Sequence, residues 1–323
     1  MEASSTNHLH PKNHGICAVV ITHNPDEKFL ILLHELERQV NQIIVVDNHS
    51  SKNGLAFIQK ARQSVNFTLI KNAENKGVAA ALNQGFAKAQ ELAFEWVITF
   101  DQDSEPNADM VEKLWRLLQD RSESSKIAIV APKIIDADLE RSSLFLRKKT
   151  HLLYERVECD QSHLEVVTTV ITTGAMVRIA AYEVLGGFRE ELFIDYVDTD
   201  FCLRLLLHGY CIWVACDAHL NHTFGRRRKI QMGPLTFYPT FHPHERWYTI
   251  SRNRIQMIKS YGFQFPHWLF YEMVASSYII FRMLLTEDKK LSKMSALIKG
   301  SWDGLRGRLG KPYWALEQTN TTK

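Results

Sequence analysis

The sequence predicts an α/β fold: a mostly parallel sheet flanked by helices, followed by a helical C-terminal extension. Three observations lead there. Between residues 16 and 130, short apolar runs rich in β-branched residues alternate with longer segments whose apolar residues recur at helical spacing. Nearly every apolar run ends in a polar cluster, as strands do when they emerge at one edge of a parallel sheet. The chain has 323 residues, 45% hydrophobic and 23% charged, enough to bury a core without disulfides.

The elements follow in order. Residues 16–22 form the first strand, broken by Asn24-Pro25, and 29–40 the first helix. A strand at 42–46 ends at Asp47-Asn48, and 54–64 is helical. A third strand at 67–71 runs into the polar loop 72–77, and the alanine-rich stretch 78–94 is the third helix. A fourth strand at 96–100 ends at Asp101. Pro106 suits the first turn of a helix reaching about residue 119, and 127–130 is the fifth strand. Beyond 131 the pattern loosens. Strands are expected at 166–173 and 175–178 around Gly174, a short helix at 181–186, a helix at 198–207 and a strand at 210–215; from about 241 the chain is largely helical. The expected organisation is a disordered leader at 1–14, a catalytic region at 15–240 with its halves meeting near 130, and the helical region 241–323.

A net charge of +3 gives no reason to expect nucleic acid. Basic residues do cluster, at Arg226-Arg227-Arg228-Lys229 and between Lys289 and Lys311, where they suit diphosphates, anionic lipid or a solvated face. The five cysteines are odd in number and lack a C-x-x-C, so reduced thiols in a cytoplasmic protein are expected. Cys211, Cys216, His219 and His222 superficially resemble a zinc set, but Cys211 and Cys216 would face opposite sides of a strand. The first fifteen residues lack an apolar signal core. Residues 268–285 are the most apolar stretch, yet Glu272, Ser276-Ser277 and Arg282 interrupt it, which favours a buried or interfacial helix over a spanning one.

The candidate chemistry lies just after the strands. Asp101 and Asp103, alternate residues on an extended segment, can converge on one hard divalent cation and leave coordination free for a diphosphate; the competing reading is a helix cap at Asp103 or Ser104. Thr22 and Asn24 end the first strand. Asp47 can accept from a nucleobase N–H, or close an Asx-turn with Asn48 and Ser50. Lys76 and Gly77 precede a helix, where backbone N–H groups attract anions. No Walker pattern and no G-x-G-x-x-G occurs, which disfavours ATPases and dehydrogenases. Asp195, Asp198 and Asp200 gather before a helix, where one could deprotonate a hydroxyl or all could complement the helix dipole. His222 is a candidate third metal ligand. Arg246, Tyr248, Arg252 and Asn253 form a basic, aromatic segment in which Arg252 could pair with a phosphate.

Together these segments resemble family 2 glycosyltransferases of the GT-A fold, from about Cys17 to beyond Arg254. The resemblance is carried by Val19-Val20-Ile21-Thr22-His23-Asn24, Val45-Val46-Asp47-Asn48, Asn75-Lys76-Gly77 through Asn83, Gly186-Gly187-Phe188-Arg189-Glu190, and Asp198-Thr199-Asp200 through Arg204. Thr99-Phe100-Asp101-Gln102-Asp103-Ser104, Phe193 through Asp198, Arg252-Asn253-Arg254 and the segment Asp303 to Lys311 are similar to bacterial rhamnosyltransferases. That resemblance implies an inverting transfer from dTDP-L-rhamnose to a saccharide, lipid-linked acceptor in surface polysaccharide or O-antigen synthesis. It implies donor contacts at Thr22, Asn24, Asp47, Asn48, Lys76, Gly77, Asn83, Asp101 and Arg252. It places Mg2+ or Mn2+ on Asp101, Asp103 and His222, and Asp198 as the base with Asp195 as fallback. Val197 stands where many members have glutamate. Other readings are a UDP-sugar donor, a nucleotidyltransferase (disfavoured by Thr22-His23-Asn24-Pro25), a glycosidase, or a non-catalytic assembly protein. The C-terminal helices suit either the inner membrane surface or a second copy of the chain.

Overall fold

The computed structural model describes residues 15–119, 124–137, 141–160, 162–223 and 229–315. The leader at 1–14 and the run Arg226-Arg227-Arg228 fall outside these residues. The strand–helix alternation appears as expected: β1 (Ile16–Thr22), α1 (Glu27–Gln39), β2 (Gln42–Asp47), α2 (Lys52–Ala61), β3 (Thr68–Lys71), α3 (Val78–Glu91) and β4 (Trp96–Asp101). Then come β5 (Glu105–Pro106), α4 (Met110–Gln119), β6 (Ile127–Asp136), β7 (Arg141–Ser142), β8 (Phe145–Lys148), β9 (Tyr154–Val157), β10 (His163–Leu164) and β11 (Met176–Arg178). The rest is α5 (Ile179–Leu185), α6 (Val197–Leu207), β12 (Cys211–His222), β13 (Ile230–Met232), β14 (Leu235–Phe237), α7 (His244–Tyr261), α8 (Pro266–Thr286) and α9 (Lys290–Leu305).

The main sheet runs β10-β12-β6-β11-β4-β1-β2-β3. β1 through β4 pair in parallel, β12 is parallel to β6, and β11 enters antiparallel between β4 and β6. Alternation along β1 divides the core: Ile16, Ala18 and Val20 face one apolar layer, Cys17 and Val19 the other. A Cβ on Gly85 would come within 2.3 Å of Val19, so α3 lies directly on the sheet there.

Three expectations change. Pro106 belongs to β5, paired with Leu220 of β12, and α4 begins only at Met110; a cap at Asp103 or Ser104 is therefore gone. Residues 166–173 are irregular, not a strand. Val166 has φ +52, and the backbone bonds of Val167 and Thr168 go to different partners, Ile212 and Leu146. Cys159 and Cys216 are joined in a disulfide, so the reduced-thiol expectation fails for that pair; Cys17 and Cys202 are buried thiols. The same bond removes Cys216 from any zinc set.

The C-terminal helices pack behind the sheet's active edge. α9 lies tightly on α7 because Gly300 and Gly304 present no side chain: a Cβ would meet the Tyr248 and Arg252 carbonyl oxygens at 2.2 and 2.4 Å. By length and composition α8 could cross a membrane, and with only 11% of its apolar window buried it is not the buried helix that was one of the two expectations for it. Glu272 ties it sideways, accepting from Arg254 at 2.9 Å and Tyr196 at 2.5 Å.

Candidate active site

Strand register builds the donor side. Thr22 pairs with Asp47 across β1 and β2, and Ile21 pairs with Asp101 across β1 and β4, so these chain ends meet at one carboxyl edge. Gln102 bridges them: its Oε1 accepts from Thr22 Oγ1 at 2.7 Å and the His23 amide at 2.8 Å. Asp47 satisfies both of its sequence readings. One oxygen accepts from the Ser50 amide at 3.1 Å, closing the Asx-turn. Its Oδ2 is buried without a hydrogen-bond partner, the kind of orphan acceptor a ligand N–H would complete.

Several other donor-side residues are committed internally. Asn24, at φ +55, is exposed and knits β1 to the Ser50-Ser51 turn. The Asn48 amide donates to Asn75 Oδ1 and the Gly77 carbonyl, while its oxygen accepts from Lys76 N and Asn72 Nδ2. Asn83 is likewise engaged, bonding Phe188 N and O, Glu190 and Tyr182. The amides expected to cradle an anion at the start of α3 are taken: Lys76 N by Asn48, Gly77 N by Asn75, Val78 N by the Phe193 carbonyl. Lys76 keeps only its exposed ammonium for that purpose. Gly77 serves close approach instead, at φ +86, where a Cβ would lie 2.6 Å from Phe193.

Of the metal candidates, Asp101 and His222 come together. His222 Nε2 stands 3.8 Å from Asp101 Oδ2. Ser104 and Thr173, 2.6 Å apart, brace the segment beneath: Thr173 accepts from the Asp101 amide, and Ser104 lies 3.5 Å from His222 Nδ1. Desolvation by the cleft walls raises the Asp101 pKa; His222 pulls it back, Asp103 adds repulsion, and Arg246 also pulls it back. Among the described residues no group of three such side chains closes a metal cage. Two carboxylates and an imidazole at an open cleft fit a divalent cation whose coordination substrate oxygens complete.

The opposite wall is the loop before α6. Phe193, Asp195 and Tyr196 all sit at φ between +63 and +66, a costly conformation for non-glycine residues. α7 holds it there. Asn253 Nδ2 reaches the carbonyls of Leu192, Ile194 and Asp195 at 2.8, 2.7 and 3.0 Å, and Arg252 donates to Leu192 and Gly310. Arg252 is thus buried as a clamp on carbonyl oxygens and does not reach the cleft as a phosphate ligand. Arg246, one turn and a half earlier, is the arginine that does. Its side chain is 43% exposed, it lies 3.0 Å from Asp195, and its field reaches Asp101.

The three carboxylates of this segment have separate fates. Asp200 is buried and bonded to Arg204 at 2.8 Å and Tyr261 at 2.6 Å, with Arg189 3.4 Å away. Asp195 is paired with Arg246, and its burial still raises its pKa. Asp198 accepts only from its neighbour Thr199, at 2.7 Å, and desolvation lifts its pKa to about 6, with Asp195 adding repulsion. A half-buried carboxylate that ionises just below neutrality, beside a cleft of about 700 Å³, is suited to take a proton from a hydroxyl.

This arrangement meets an independent family match. Residues 17–186 match the model of glycosyl transferase family 2. The chain belongs to glycosyltransferase family 2. This glycosyltransferase is 31% identical over 304 residues to the dTDP-rhamnosyl transferase RfbF of Shigella flexneri, covering 92% of this chain and 98% of that one. The fold is shared with S. aureus TarS 1-349 in complex with UDP-GlcNAc (TM-score 0.55, 16% identity, 90% of this chain and 80% of that one). It is also shared with the mannosyltransferase PcManGT of Pyrobaculum calidifontis in complex with GDP-Man and Mn2+ (TM-score 0.55, 13% identity, 90% and 87%). The sheet is therefore a GT-A sheet.

Proposed function

We propose that this glycosyltransferase moves L-rhamnose from dTDP-L-rhamnose, with inversion, onto a lipid-linked saccharide in surface polysaccharide or O-antigen synthesis. One observation carries the donor: the likeness to the dTDP-rhamnosyl transferase RfbF spans nearly the full length of both chains. Asp47, with its orphan oxygen, receives a base N–H, and the β1 and β4 ends hold the rest of the nucleotide. Asp101, Asp103 and His222 would hold Mg2+ or Mn2+, which when bound would supply positive charge for the leaving diphosphate. Arg246 adds fixed positive charge on the same side. Asp198 removes the acceptor hydroxyl proton as that oxygen bonds to the anomeric carbon; the bond from that carbon to the diphosphate breaks on the opposite face and dTDP leaves. The work is done at the cytoplasmic face of the plasma membrane, with the C-terminal helices against the lipid.

A donor panel tests this reading: nucleotide release from dTDP-rhamnose, UDP-sugars and GDP-mannose, each with and without Mn2+. Metal-dependent turnover of dTDP-rhamnose is expected. Turnover of a UDP-sugar with none of dTDP-rhamnose would overturn the donor, and equal rates after chelation would overturn the metal.

A further inference from the structure

The cleft beside Asp198 is more basic than a neutral sugar requires. It runs from Asp198 and Thr199, past β6 to β9, to one side of α8. Arg141, Arg156 and Arg282 line it, from β7, β9 and α8, against the carboxylates of Asp136 and Asp198. Arg141 and Arg156 are exposed. Arg141 and Arg282 lie over the rings of Tyr238 and Tyr278, at 5.8 and 5.9 Å from the centroids. Guanidinium groups converging from three elements match the oxygens of a phosphate, which they can grip in pairs of parallel hydrogen bonds.

α8 supplies the second half of the observation. Tyr271 and Arg282, about three turns apart, share the helix side that lines the cleft. The adjoining side carries Phe270, Val274, Tyr278, Phe281 and Leu285, exposed by 51, 55, 50, 55 and 39%. These recur at helical spacing, so they form one apolar stripe along the helix, bordering the arginines. Glu272 anchors the opposite side to Arg254 and keeps the stripe facing outward. A soluble anion would need the arginines but not the stripe. A bare bilayer would need the stripe but not the arginines that line the cleft.

We propose that Arg141, Arg156 and Arg282 form a subsite for the diphosphate of a lipid-linked acceptor, whose hydrocarbon chain leaves along the apolar stripe of α8. This deepens the proposed function and rests on Asp198 facing the acceptor. The diphosphate fixes the saccharide end of the acceptor over Asp198, and the chain continues into the bilayer without crossing the donor site.

The test is calorimetric titration of the full chain, with dTDP and Mn2+ saturating the donor side, using farnesyl diphosphate, farnesol and inorganic pyrophosphate. Farnesyl diphosphate should bind most tightly. Arg141→Gln and Arg282→Gln should each weaken it about tenfold, the size expected for a charge-assisted contact. Phe281→Ser should weaken farnesyl diphosphate and leave pyrophosphate unchanged. Farnesyl diphosphate binding indifferent to the arginines overturns the subsite, as does binding of farnesol equal to that of its diphosphate. Pyrophosphate matching farnesyl diphosphate overturns the lipid assignment. The dTDP affinity separates the two levels: its absence in the unmodified chain sinks the nucleotide-sugar reading, whereas its retention with arginine-independent lipid binding sinks the subsite alone.

Discussion

On the donor side, Thr22, Asp47 and Asp101 end neighbouring parallel strands, and register alone sets them side by side. On the base side, Asp198 opens α6, and Asp195 belongs to the loop just before it, held in a left-handed backbone by Asn253 and Arg252, more than fifty residues further along the chain. One wall is a by-product of the sheet, and the other is strained and has to be held. Damage to the first should therefore appear in binding, and damage to the second in turnover.

Asp198→Asn gives the largest effect. Loss of a general base lowers kcat by about 10²–10⁴-fold, while dTDP affinity stays within about twofold of the unmodified chain, since tenfold would already mean 1.4 kcal/mol of lost contact. The pH profile sharpens the assignment. With a pKa near 6, Asp198 must be ionised to act, so kcat/KM rises with pH through about 6 and levels above it. Loss of nucleotide binding along with turnover would move Asp198 to the donor wall.

Asn253→Ala tests the clamp itself. Its amide nitrogen reaches three loop carbonyls and its oxygen accepts from Arg252 Nε, so its removal should misplace Asp198 and lower kcat by roughly 10–100-fold, as small misplacements of reacting groups do. KM for the donor and the limb near pH 6 should barely move. A lower melting temperature with unchanged kcat would reduce Asn253 to a structural residue. Asp47→Asn is the counterpart on the register-built wall. It should weaken dTDP about tenfold, the scale of one charge-assisted hydrogen bond, and leave kcat alone. A kcat defect there would break the division between the walls.

The same contrast explains what the sequence revealed. Parallel strands at 16–101 are legible because β1, β2 and β4 are almost wholly buried and end in a polar residue, so Asp47 and Asp101 stand out. Arg252 was misjudged, because nothing local separates an arginine that meets phosphate from one that holds the Leu192 and Gly310 carbonyls. Arg246, six residues before Arg252, is the one whose field reaches Asp101. Residues 166–173 look like a strand because they are apolar and β-branched, but their apolar side chains pack inward from a loop. Cys159 and Cys216 are separated by 57 residues, a pairing that only the pairing of β10 with β12 brings close.

The smallest expected effect is thermodynamic. Asp198 ionises at about 6 in the folded chain against 3.8 for the free carboxyl, so unfolding favours the ionised form. Between those two values stability falls as pH rises, and above about 6 the full penalty is present. Asn mimics the protonated carboxyl and carries no such penalty. Asp198→Asn should therefore be more stable than the unmodified chain at pH 8, by about 1–2 kcal/mol once partial exposure to solvent is discounted. The gain should disappear below about pH 3, where the carboxyl is protonated in both the folded and the unfolded chain. Urea titrations at about pH 3 and pH 8 measure it directly. An equal gain at both pH values would mean that Asn improves packing, and that Asp198 carries no desolvation penalty for a base to exploit.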